Sequence, residues 1–159
     1  MALKVGDVAP NFTLKDTNLE SVSLSDYKGK KNVVVLFFPA VGTSVCEKEL
    51  CSTRDGMKDY ENLDAQVLAI SVDGPFAQKL WADRHQFNFP LLSDFNKEVS
   101  PTYGAFYDVW LSGKLDLRGV SKRSAFVVDK KGIIQYAEVL EVAGDEPNYN
   151  SIQEALKKL

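Results

Sequence analysis

The chain has 159 residues, of which 45% are hydrophobic and 26% charged, enough to bury a core within one globular domain spanning 1–159. A net charge of −3, with acids and lysines interspersed, leaves no basic stripe for a nucleic acid. No basic-then-apolar leader pattern or membrane-length apolar run is present, so the expected location is cytoplasmic, with no membrane partner.

Phe12–Asp16 and Ser21–Leu24 flank Thr17–Glu20, which predicts an N-terminal β-hairpin. Val33–Phe38 is an uninterrupted β-branched, aliphatic and aromatic run, the pattern of a central strand covered on both faces. Pro39 ends it, because proline has no N–H for the ladder. Ser44 and Glu47 have capping-box spacing, and a helical pattern follows to about Leu63, with Gly56 as a soft spot that marks a kink. Gln66–Val72 is a second buried strand, and Pro75 opens a helix to about Gln86. Phe89–Asp94 predicts a short strand and loop, and Lys97–Tyr103 one or two helical turns limited by Pro101. Ala105–Lys122 has no clear periodicity. Arg123–Asp129 and Ile133–Val139 form an antiparallel pair around Lys130–Gly132, and Asn150 or Ser151 caps a last helix to Leu159. The expected fold is α/β: a mixed central sheet flanked by helices.

Two cysteines are too few for a disulfide framework. With a single histidine, His85, a closed zinc site lacks ligands, so neither metal nor cofactor is expected. Cys46 falls in the first turn of its helix, where unpaired N–H groups and the positive helix end favour a thiolate. Such placement lowers a thiol's pKa by roughly one to several units, which makes Cys46 a candidate nucleophile.

The pattern Pro39-x-x-x-Thr43-x-x-Cys46 resembles the active-site signature of the peroxiredoxins, thiol peroxidases with a thioredoxin-like fold. The resemblance runs through Val5-Gly6-Asp7-x-Ala9-Pro10-x-Phe12, Phe37-Phe38-Pro39, Ala69–Asp73, Phe89–Asp94, Tyr103-Gly104 and Arg123–Asp129, covering essentially the whole chain. Within the family it is most similar to the alkyl-hydroperoxide-reductase-E type, with the C-x4-C spacing of the bacterioferritin-comigratory (Q) type.

The resemblance implies a Cys46 thiolate that attacks hydrogen peroxide or an organic hydroperoxide and becomes a sulfenic acid. It implies that Pro39 shields the sulfur, that Thr43 reaches sulfur or substrate, and that Arg123 lays its guanidinium over the sulfur. Plainer roles exist for each. Pro39 suits strand termination and Thr43 a simple N-cap, while Arg118 is the rival arginine. Glu49 either holds Arg123 or is a solvated helix glutamate. Trp81 packs near the pocket or simply in the core. His85 reads as a polar helix residue, because a preformed thiolate needs no base. Ala125 stands where relatives commonly carry Thr.

Five residues along a helix place Cα atoms roughly 8.6 Å apart, beyond the ~7 Å that a disulfide tolerates. If Cys51 resolves the Cys46 sulfenate, the first helical turns must unwind in each cycle. The Q-type spacing favours that role, with a thioredoxin- or glutaredoxin-like reductant completing the cycle. The alternatives are a structural Cys51 with an external thiol, a disulfide oxidoreductase (which usually carries C-x-x-C), and a holdase. Relatives form dimers, so a homodimer is expected, with Phe95, Phe106, Tyr107 and Trp110 available for its surface, for the pocket wall or for the core.

Overall fold

The computed structural model describes residues 3–159. At its centre lies β3 (Asn32–Phe37), every residue of which is buried. The run has no charged residue that would have to face water, so it accepts neighbours on both edges and cover on both faces. On one edge β3 pairs parallel with β4 (Ala65–Ser71), and β4 pairs parallel with β5 (Leu91–Ser93). On the other edge it pairs antiparallel with β8 (Ser124–Val128), which turns back into β9 (Ile134–Val139). The N-terminal hairpin, β1 (Thr13–Asp16) and β2 (Ser21–Ser23), extends the sheet beyond β5, giving the order β2-β1-β5-β4-β3-β8-β9.

Alternation along β3 sorts its side chains into two cores. Val34, Leu36 and Phe38 join Leu50, Met57, Tyr60, Trp81, Ile152 and Leu156. Val33, Val35 and Phe37 join Phe12, Tyr103, Phe126 and Ile134 on the opposite face. A fully buried side chain of this kind contributes about 1.5–3 kcal/mol, so the sheet's two faces set where the helices lie.

Four helices carry the first core. α1 (Ser44–Asp55) and α2 (Met57–Asn62) are separated at Gly56, the kink expected there. α3 (Pro75–His85) starts on its proline and ends on Gln86 in the left-handed region, φ 53°. The single turn α4 (Val99–Thr102) contains Pro101, and α5 (Tyr149–Lys157) packs Ile152 and Leu156 into the sheet.

Three sequence expectations need correction. The Ser44/Glu47 capping box does not form; Thr43 is the N-cap, and its hydroxyl donates to the Ala40 carbonyl at 2.9 Å. The last helix is capped by Asn148, whose Oδ1 accepts from Ser151 N at 3.0 Å, rather than by Asn150 or Ser151. Leu159, expected as the end of that helix, lies beyond it, since α5 stops at Lys157, and is 49% exposed. The aperiodic stretch is a separate two-stranded hairpin, β6 (Phe106–Trp110) and β7 (Leu117–Ser121). Exposed and buried residues fall in blocks along its strands, with Leu117 and Arg118 exposed and Gly119–Ser121 buried, so no alternation marks them in the sequence.

Candidate active site

The site is assembled where β3 runs into α1. Phe38 N still bonds Ile70 O at 2.9 Å, and Pro39 then stops the ladder. The connecting loop is pinned by Val41 N donating to Asp73 Oδ2 at 2.9 Å, and Asp73 is itself held by the Ser71 hydroxyl at 2.6 Å. Gly42 has φ +82°, a conformation that L side chains rarely adopt. Glu47 N to Thr43 O, 2.9 Å, closes the first helical turn.

Cys46 is the third residue of α1 and shares the buried stripe with Glu49, Leu50 and Thr53. Leu50, one turn on, is driven into the core, and this fixes the rotation that turns Cys46 inward as well. The Cys46 side chain has no exposed surface.

Arg123 immediately precedes β8 and is 1% exposed. Burying an unpaired guanidinium would cost several kcal/mol, so its partners matter. Nη2 donates to Cys46 Sγ at 3.3 Å and to the Ala143 carbonyl at 2.9 Å. Nε donates to the same carbonyl at 3.1 Å, and Nη1 donates to Glu49 Oε1 at 2.9 Å. One planar group thus joins the sulfur to a carboxylate and an anchoring carbonyl. Burial works against the charged guanidinium, but Glu49 and Cys46 outweigh it and raise Arg123 further. Burial pushes Glu49 above the ordinary carboxylate range, and the attraction of Arg123 only partly offsets this. Its second oxygen, Oε2, has no hydrogen-bond partner.

The other expected residues make no hydrogen bond to Cys46 or Arg123. Thr43 spends its hydroxyl proton on Ala40 O, leaving the oxygen's lone pairs free to accept. Pro39 and Ala40 border a cavity of about 330 Å³ whose far wall includes Phe95 and Leu117–Val120. Arg118, the rival arginine, is exposed on that wall. Trp81 is 7% exposed and packs in an aromatic cluster, tilted against Phe38 at 5.6 Å and edge-on to Phe87 at 5.1 Å between ring centroids.

Cys51 lies on a different face of α1. It is half-buried, and its Sγ is 3.9 Å from His85 Nδ1. Both cysteines are free and the helix between them is intact. Sequence reading missed the Ala143 carbonyl, because a backbone acceptor in a loop has no residue signal. It also missed the Glu47–His85–Cys51 grouping, in which His85 of α3 meets Cys51 of α1 across 34 positions. Among the described residues no group of three or more His, Cys, Asp or Glu side chains is placed to hold a metal ion, and no helix is long and apolar enough to cross a membrane.

The fold and a buried cysteine–arginine pair at a helix start define a thioredoxin-like thiol enzyme, and comparison with known proteins gives the class. The pattern of the AhpC/TSA family matches residues 5–137, and the chain belongs to that family. Alkyl hydroperoxide reductase E of Mycobacterium tuberculosis is 45% identical over 139 residues, 86% of each chain. A thiol peroxidase of Listeria innocua is 43% identical over 157 residues, covering 98% of this chain and 88% of that one. Among solved structures, peroxidoxin BcpB from M. tuberculosis superposes with a TM-score of 0.86 at 29% identity, over 99% of this chain and 98% of that one.

Proposed function

We propose that Cys46 is the peroxide-reactive sulfur of a thiol-dependent peroxidase. The observation that carries this is the Arg123 Nη2–Cys46 Sγ hydrogen bond of 3.3 Å, made by an arginine with almost no solvent exposure. A fixed positive charge in a dry site favours the sulfur as thiolate and stabilises the oxyanion that leaves. The thiolate attacks the distal oxygen of a hydroperoxide and the O–O bond breaks. The sulfur becomes a sulfenic acid, and the departing oxygen takes a proton to leave as water or an alcohol. Thr43 accepts a hydrogen bond from the incoming peroxide through its free lone pairs, Pro39 keeps bulk water from the sulfur, and Glu49 holds Arg123 in register. Trp81 supports the pocket from the core side. Because the sulfur is covered, substrate reaches it when the Ala40–Thr43 loop shifts.

Cys51 then resolves the sulfenate, giving a Cys46–Cys51 disulfide that a thioredoxin- or glutaredoxin-like protein reduces. This requires the turns from Ser44 to Leu50 to open. The working unit is a single domain of residues 1–159 acting in the cytoplasm as a homodimer. Exposed apolar residues such as Phe76, Leu80 and Phe95 supply the dimer surface, while Trp110, at 9% exposure, belongs to the interior.

A mass spectrum of the reduced protein after one equivalent of peroxide tests this reading. Loss of two hydrogens, absent in Cys46→Ser, is the expected result. Gain of one oxygen that persists assigns the second step to an external thiol, and no change in mass in the wild type refutes the function.

A further inference from the structure

Cys51 has a chemical environment of its own. His85, the last residue of α3, stacks its ring on Phe87, 5.5 Å between centroids, and meets Trp81 edge-on at 5.9 Å. Nδ1 lies 3.9 Å from Cys51 Sγ. On the other side, Nε2 lies 2.7 Å from Glu47 Oε1. That approach is a close polar contact rather than an aligned hydrogen bond, since Nε2 has no in-line partner. A carboxylate so close favours the ring proton on Nε2, which leaves the Nδ1 lone pair toward the thiol. The peptide around the ring is also held: Arg54 Nη1 donates to the His85 carbonyl at 2.6 Å.

We propose that His85 is the proton acceptor for Cys51 in the resolution step, with Glu47 as the residue that sets the imidazole's orientation before α1 opens. The assignment rests on Cys51 being the resolving thiol. The Cys51 S–H gives its proton to Nδ1, and the sulfur's electron pair attacks the sulfenic sulfur of Cys46. The S–S bond forms as the S–O bond breaks, so Cys51 is oxidised and the sulfenic sulfur reduced. The hydroxide that leaves takes the proton back from the imidazolium and departs as water. Such a base is needed because Cys51 is a poor nucleophile unaided. Burial pushes its thiol up, as do the charges of Glu47 and Asp55, and Arg54 opposes them only in part. A protonated resting thiol is spared attack by peroxide and is activated only beside the base. Glu47 lies inside the segment that must open, whereas His85 sits on α3, outside it.

The test is rapid-quench mass spectrometry of His85→Gln after one equivalent of hydrogen peroxide, across a pH series. Sulfenate formation at Cys46 is expected at the wild-type rate, which also checks the fold. Disulfide formation at neutral pH is expected to slow by about a hundredfold, and the difference to shrink as pH rises and the thiol ionises without help. Glu47→Gln slows it less. A purely structural contact behaves in the opposite way: its removal loosens α1 and speeds disulfide formation. Unchanged or faster resolution in His85→Gln overturns the proposal.

A second measurement separates this from the reading beneath it. If the wild type forms no disulfide, the resolving role of Cys51 fails. The reaction of Cys51 with iodoacetamide in a Cys46→Ser background then decides His85. His85→Gln is expected to lower that rate about tenfold at neutral pH and to move its midpoint upward. An unchanged profile ends the assignment of His85 as a base.

Discussion

Cys46 and Cys51 ride the same helix five residues apart, yet α1 gives them different surroundings. At 100° per residue their side chains diverge by about 140° around the axis. Cys46 falls on the stripe that Leu50 drags into the core, where a guanidinium already charged and already anchored waits for the sulfur. Cys51 falls on the flank facing α3, half-open, with an imidazole and no arginine hydrogen bond on its sulfur. Under the proposed function, the first setting favours an anion at the sulfur, and the second keeps a thiol beside a base. The contrast teaches that helical phase gives two identical side chains different surroundings.

Variants can break or sharpen this contrast. The largest effect is expected from Cys51→Ser, which removes the second setting alone. Sulfenate formation should proceed normally, while sustained turnover with thioredoxin and its reductase should be lost. Full turnover would return Cys51 to a structural role.

Arg123→Met attacks the first setting. It removes the donor to the sulfur and strands a buried carboxylate at Glu49, 2.9 Å from the lost Nη1. The single-turnover peroxide rate should fall about 10²–10³-fold. Stability, read from urea unfolding, should fall by about 3–5 kcal/mol. A wild-type rate in a folded Arg123→Met protein would remove the guanidinium from the chemistry.

Glu49→Gln is milder, since an amide oxygen still accepts from Arg123. Burial raises the folded carboxyl above its unfolded range, so the folded protein holds that proton more tightly. Its contribution to stability is therefore present below the ordinary carboxylate range and is lost as pH rises through the folded value. The variant, which has no such titration, should gain on the wild type by about 1–3 kcal/mol between about pH 5 and about pH 8. A constant gap in the urea midpoints would show that Glu49 stays ionised throughout.

Much of the fold was legible because its signals are local. The Val33–Phe38 run, Pro39 and Pro75 mark the central strand and two helix starts, and β3, α1 and α3 lie where those residues place them. Gly56 marks the α1–α2 break. Cap residues were less legible. Thr43, Ser44, Asn148 and Asn150 are all competent cap types, and tertiary packing of the following helix chooses among them. The β6–β7 hairpin escaped because its exposed and buried residues come in blocks, which leaves no alternation to read.

For the site, Cys46 at a helix start is visible from spacing, and Arg123 from the family pattern that surrounds it. Their 3.3 Å approach across 77 positions is not, because it depends on β8 pairing with β3. Nor was the partner of Cys51 visible. A histidine at the end of one helix and a cysteine in the middle of another carry no shared sequence signal until the sheet between β3 and β4 brings α1 and α3 together.

The account turns on one sulfur, and stopped-flow mixing of reduced protein with substoichiometric hydrogen peroxide tests it most directly. The wild type should consume peroxide in a fast single turnover that vanishes in Cys46→Ser. Consumption at an undiminished rate in Cys46→Ser would contradict the account.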